Sequence, residues 1–86
     1  MARIQITYTT KRTDFEKIDA EIENIFAQHG GAIDGSGYGP EGRDIVFDVF
    51  PNSELKHIIR AFNKVGPMMK SMGTVETLKW ERLDPQ

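Results

Sequence analysis

The sequence predicts an α+β domain: one four-stranded antiparallel sheet, order 4-1-3-2, with two helices on one face. Three observations lead there. Residues 2–10 alternate apolar and polar side chains, and residues 15–26 and 55–65 repeat apolar residues at helical spacing. Residues 34–44, DGSGYGPEGRD, hold four of the eight glycines around a Pro-Glu-Gly turn, between two further strand-like runs. The order is strand, helix, strand, strand, helix, strand. Right-handed crossovers convert that order into a single sheet covered on one side.

The first strand sets Ile4, Ile6 and Tyr8 against Arg3, Gln5, Thr7 and Thr9. TDFE then reads as a capping box, with Thr13 as N-cap and Glu16 reaching back. Phe15, Ile18, Ile22, Ile25 and Phe26 form the buried stripe of the first helix, which Gly30 and Gly31 end. The second helix starts at PNSEL, with Asn52 or Ser53 as cap, and buries Leu55, Ile58, Ile59, Phe62 and Val65. Gly66-Pro67 should stop it. The following PMMKSMG is then a link whose methionines pack as a lid over the core. A last strand covers residues 74–83, with Leu78 and Trp80 inward. Ile33, Ile45, Phe47 and Val49 complete the expected core.

Gly39-Pro40-Glu41-Gly42 fits a type I turn with Gly42 left-handed in a G1 bulge. That closure pairs Gly39 with Arg43, Gly37 with Ile45, Gly35 with Phe47 and Ile33 with Val49. The alternating glycines then form the bare face of a strand, filled by Ile45 and Phe47. They do not form a phosphate loop, which would run into a helix N-terminus rather than into RDIVFDVF. The same register opposes Asp34 and Asp48. Such a pair needs a cation, a shared proton or a basic neighbour, unless a bulge shifts the register. Arg3 is the first candidate neighbour, and Lys79 a poorer one.

This order of elements resembles the ferredoxin-like superfold over nearly the whole chain, and the resemblance carries no functional motif. Acylphosphatases share the topology, but their glycine-rich anion loop is replaced here by TTKRTD. Arg12 beside a helix N-terminus could hold an anion weakly, although a solvated basic turn is the simpler reading. Metal carriers of this topology use Cys-x-x-Cys, and the chain has no cysteine. Amino-acid-binding regulatory domains of similar topology place a glycine early in that loop, and none stands there. RNA-recognition motifs stack bases on aromatics of the open sheet face. Here that face would show Arg3, Gln5, Thr7, Thr9, Asp44, Val46, Asp48 and Phe50, so RNA binding is disfavoured.

The length of 86 residues sets one domain, spanning 1–86, and a net charge of −2 disfavours a phosphate-neutralising role. No run is apolar enough for a membrane span or secretory signal, so a cytoplasmic location is the default expectation. His29 suits the C-terminal end of the first helix as a capping cation, and His57 falls on the polar side of the second. No metal site or cofactor is expected. Two functional classes follow. The first is a non-enzymatic interaction module that binds a protein partner or itself, as a homodimer, through the open sheet face or an edge. Thr7, Thr9, Val46 and Phe50 would form that surface. The second is a small-molecule or cation site, catalytic activity included, at Asp34, Ser36, Tyr38, Arg43, Asp44 and Asp48.

Overall fold

The computed structural model describes residues 2–11, 15–40 and 42–83. The elements are β1 (Ala2–Thr9), α1 (Phe15–Ala27), β2 (Gly31–Gly39), β3 (Gly42–Val49), α2 (Leu55–Ser71) and β4 (Thr77–Arg82), with a 3-10 turn over Asn52–Glu54. The sheet runs β2-β3-β1-β4, and every neighbouring pair is antiparallel. This is the expected ferredoxin-like α+β architecture. Alternation along β1 and β3 turns Ile4, Ile6, Tyr8, Ile45, Phe47 and Val49 onto one side, where α1 and α2 meet them. Phe26 of α1 stacks on Phe47 at 3.9 Å and meets Phe62 of α2 at 5.6 Å, so both helices share that face.

The core departs from expectation at the sheet's margins. Ile33 is 49% exposed and Trp80 39% exposed, although both face the helices. They stand on the two edge strands, and two helices are too narrow to cover a four-stranded sheet from edge to edge. Ala2 and Val75 are buried core residues that the sequence pattern did not single out.

Three local readings are corrected. α2 does not stop at Gly66-Pro67 but continues to Ser71. Its apolar stripe of Leu55, Ile58, Phe62, Gly66 and Met69 runs on at helical spacing, and burial of Met69 offsets the hydrogen bond that Pro67 cannot donate. The helix ends in a Schellman motif: Gly73 at φ +75° donates to the Lys70 carbonyl and Thr74 to that of Met69. Met69 packs inward as a lid methionine should, whereas Met68 and Met72 are exposed. The start of α2 carries no side-chain cap from Asn52 or Ser53; a 3-10 turn leads into it instead. The proposed Thr13 cap of α1 lies outside the described residues.

The β2–β3 hairpin pairs Gly39 with Gly42 rather than with Arg43, so it closes one residue earlier than expected. Gly42 takes the anticipated positive φ, and a Cβ there would lie 2.4 Å from the Tyr8 carbonyl oxygen. The earlier closure moves Gly37 opposite Asp44 and Gly35 opposite Val46. A bulge at Asp34 then shifts the register, so that Ile33 opposes Phe47 and Gly31 opposes Val49. Gly35 and Gly37 therefore lie on the open face with nothing within 4 Å of a would-be Cβ. They are bare, as read from the sequence, but Ile45 and Phe47 do not fill them.

Candidate functional site

The open face is polar and internally satisfied. Arg3 opposes Asp48 across β1 and β3, donating from Nε to Asp48 Oδ1 at 3.1 Å. Its Nη2 donates to Asp34 Oδ2 at 2.8 Å from the bulge of β2. Both anticipated escapes from the carboxylate pair thus occur together: the register slips, and Arg3 bridges the two. Those two carboxylates raise the Arg3 pKa, the Asp48 hydrogen bond contributing most, so the guanidinium stays charged. Asp44 accepts from Thr7 Oγ1 at 2.9 Å and from Gln5 Nε2 at 3.3 Å. Thr9 and Thr77 share a hydroxyl hydrogen bond at 2.7 Å.

The six residues expected to converge at the hairpin are divided between two faces. Asp34, Asp44 and Asp48 lie with Arg3, Gln5 and Thr7 on the open side. Ser36, Tyr38 and Arg43 pair within the ladder so that they face the helices. Arg43 donates to Asp19 Oδ2 from Nε at 3.1 Å and from Nη2 at 2.8 Å, and the hydrogen bond to Asp19 is the main cause of its raised pKa. Its guanidinium lies 5.1 Å from the centroids of both the Phe15 and the Tyr38 rings. Tyr8 donates its hydroxyl to Asp19 Oδ1. Burial first, then the hydrogen bond and charge of Asp19, push the Tyr8 phenol above its ordinary range. Of the four expected interface residues, Thr7, Thr9 and Val46 share the open face, and Phe50 follows the end of β3. Thr7 is buried at 6% exposure beneath its neighbours, Thr9 is bonded to Thr77, Val46 is half-buried, and Phe50 is exposed beyond the end of β3.

The histidines lie closer than the sequence suggested. His29 Nδ1 meets Glu54 Oε2 at 2.9 Å, and the His29 and His57 rings stack at 5.6 Å. His29 thus joins the end of α1 to the start of α2. Among the described residues no group of His, Asp or Glu is placed to hold a metal ion. No helix among them is long and apolar enough to cross a membrane.

Two concave features stand out: a hollow of about 280 Å³ at the hairpin, where Tyr38 and Arg43 meet Tyr8 and Phe15, and one that the sequence did not reveal, between α2 and the edge strand β4. The latter is a groove of about 340 Å³ lined by Ile6, Phe62, Asn63, Gly66, Pro67, Lys70, Leu78, Lys79 and Trp80. Asn63, Gly66, Pro67 and Lys70 recur at helical spacing and form its α2 wall. Gly66 sets its depth, because a Cβ there would approach Leu78 Cδ2 to 3.2 Å. The opposite wall is β4, which among the described residues pairs only with β1 and leaves its outer edge open. Leu83 N–H bonds the Arg3 carbonyl at 2.8 Å. Antiparallel alternation from that bond directs the backbone of Lys79 and Glu81 to β1, and that of Leu78 and Trp80 outward. The same two residues turn their side chains into the groove. Reading Gly66-Pro67 as a helix stop concealed this wall. The usable signal was the apolar stripe reaching Met69 beyond it.

Compared with known proteins, the chain has no significant match to a family model, a curated protein or a solved structure.

Proposed function

We propose that this protein is a non-enzymatic interaction module that binds an extended segment of a partner protein along β4. One observation carries the reading: among the described residues, a strand edge that pairs with no other strand coincides at Leu78 and Trp80 with a groove floored by Ile6, Phe62 and Leu78. A strand added there gains main-chain hydrogen bonds from the edge, while alternate side chains enter the groove. The volume falls within the range usual for binding pockets. The other edge, β2, is less suited to this task. Its bulge at Asp34 interrupts a regular ladder, and Gly35 and Gly37 give an added strand no side chains to pack against. The rival reading, a ligand or cation site at the hairpin, has less support from the geometry. Arg3 already compensates Asp34 and Asp48, and Asp19 occupies Arg43.

Hydrogen exchange in the presence of a panel of strand-forming peptides tests the proposal. Binding along β4 slows exchange at the Leu78 and Trp80 amides and leaves Lys79, already directed to β1, little changed. Protection confined to β2, or to the open-face loops, would reject it.

A further inference from the structure

We infer that the strand accepted by the β4 edge is β4 of a second copy of this chain, antiparallel about a two-fold axis at Trp80. The inference rests on the strand-addition reading above. Backbone alternation limits how two such edges can meet. Leu78 and Trp80 direct their N–H and C=O groups away from β1, and the same alternation extends to Arg82. A ladder forms where residues of that phase oppose one another, so even-numbered residues must face even-numbered ones. Two of the allowed registers leave just one residue of this six-residue strand unpaired. The first sets Lys79 against Lys79 of the second copy, and a further shift sets Glu81 against its own copy; like charges opposed in this way destabilise a sheet. The second centres on Trp80 and opposes Lys79 to Glu81 twice, once on each side of the axis. Lys79 and Glu81 are both exposed and share the open face, where register sets them against Thr7 and Gln5. In the joined ladder they form the non-hydrogen-bonded pairs, with Cα atoms about 4.5 Å apart, where side chains lie closest. The choice of register works through the sign of the charges opposed, whatever contacts Lys79 keeps within its own chain.

The helix side of the sheet fits the same arrangement. Trp80 is 39% exposed there and lines the groove, and the axis sets it against its own copy as a cross-strand aromatic pair. Strands lie about 4.8 Å apart and packed helices about 8–10 Å apart, so one helix spans two strands. Two copies joined at β4 make an eight-stranded sheet that seats four helices in one layer. Trp80 then lies under the seam between two α2 helices instead of at an uncovered margin.

Sedimentation equilibrium and hydrogen exchange at rising protein concentration test this on the whole chain. The expected result is a reversible dimer with Kd below about 100 μM, and exchange at the Leu78 and Trp80 amides that slows as it forms. Lys79→Glu and Glu81→Lys each turn both attractive pairs into repulsive ones, so each should weaken its own dimer at least about tenfold. Mixed in equal amounts, the two variants oppose unlike charges again and should form a heterodimer within about threefold of the parent affinity. The exchange measurement on the unaltered chain stands whether or not the variants fold. A chain monomeric at about millimolar concentration, with Leu78 and Trp80 amides protected by a strand-forming peptide, overturns self-pairing and leaves strand addition standing. Absence of protection at β4, by a second copy or by any peptide of the panel, overturns both. A dimer that neither variant weakens, or that mixing does not restore, rejects the register and the inference with it.

Discussion

Arg3 shows how one side chain decides whether a polar surface is a site or a scaffold. Two carboxylates on adjacent strands would repel, and a guanidinium between them removes the need for any outside cation. The repulsion should reappear when Arg3 is lost. Arg3→Gln is expected to lower the denaturant midpoint modestly, and adding Asp48→Asn should recover most of that loss. Non-additivity in this double-mutant cycle, read by chemical denaturation, measures the coupling. Strict additivity would mean that the bridge contributes nothing in solution. The pairing of these three residues was visible in the sequence, because adjacent strands of the expected order bring positions 3 and 48 together. A bulge was one of the alternatives, but its place at Asp34 was not visible. A one-residue insertion in a ladder leaves the alternation of its neighbours readable on either side, and only the length of the turn betrays it.

At the scale of elements, the glycines separate into those that fit a space and those that do not. A Cβ on Gly31 would fall 2.7 Å from Phe26 Cβ and 3.0 Å from the Phe26 carbonyl oxygen. Gly31→Ala should therefore cost about 2 kcal/mol, since the clash is with the helix that the strand supports. Gly35→Thr and Gly37→Thr face open space and replace glycine with a better strand former. Each is expected to stabilise by about 0.5 kcal/mol in thermal or denaturant unfolding. This reverses the expectation drawn from the sequence register, in which Ile45 and Phe47 filled those positions. Gly66→Ala presents a different balance. Removing glycine from a helix favours folding by up to about 1 kcal/mol, and the approaching atom is the movable end of the Leu78 side chain. Stability should hold or rise while peptide affinity falls, because the added methyl group narrows the groove. A variant of lowered stability with unaltered binding would show that Gly66 serves packing alone.

For the whole molecule, the buried Tyr8–Asp19–Arg43 network shapes the response to pH. The Tyr8 phenol is raised in the folded state above its ordinary value of about 10. Its contribution to stability is therefore complete below that ordinary value and is lost as pH climbs through the folded one. Denaturant unfolding should show stability declining from about pH 10 upward. Tyr8→Phe should flatten that alkaline limb relative to the parent, and lower stability near neutrality by about 1–2 kcal/mol because Asp19 loses a donor. An alkaline limb of the same slope in the variant would assign the loss to other groups. The overall architecture was legible because two helical stripes and one alternating strand fix the order of elements. The network itself was not, since Asp19 lies outside the apolar stripe and only the docking of α1 on β3 brings it to Arg43. The groove escaped for a related reason: it exists only between elements, and its glycine and proline resemble punctuation when read along the chain.

The clasp of Arg43 between two rings and one carboxylate also bears on how the molecule opens. Phe15 and Asp19 belong to the beginning of α1, while Tyr38 and Arg43 belong to the tip of the hairpin. An edge hairpin tip would ordinarily fray alone, with its amides exchanging far faster than those of a helix. Here the tip cannot lift away without pulling a half-buried cation from its partners and uncovering the first turns of α1. The two segments, distant in sequence, should behave as one cooperative unit, leaving the fold together and returning together.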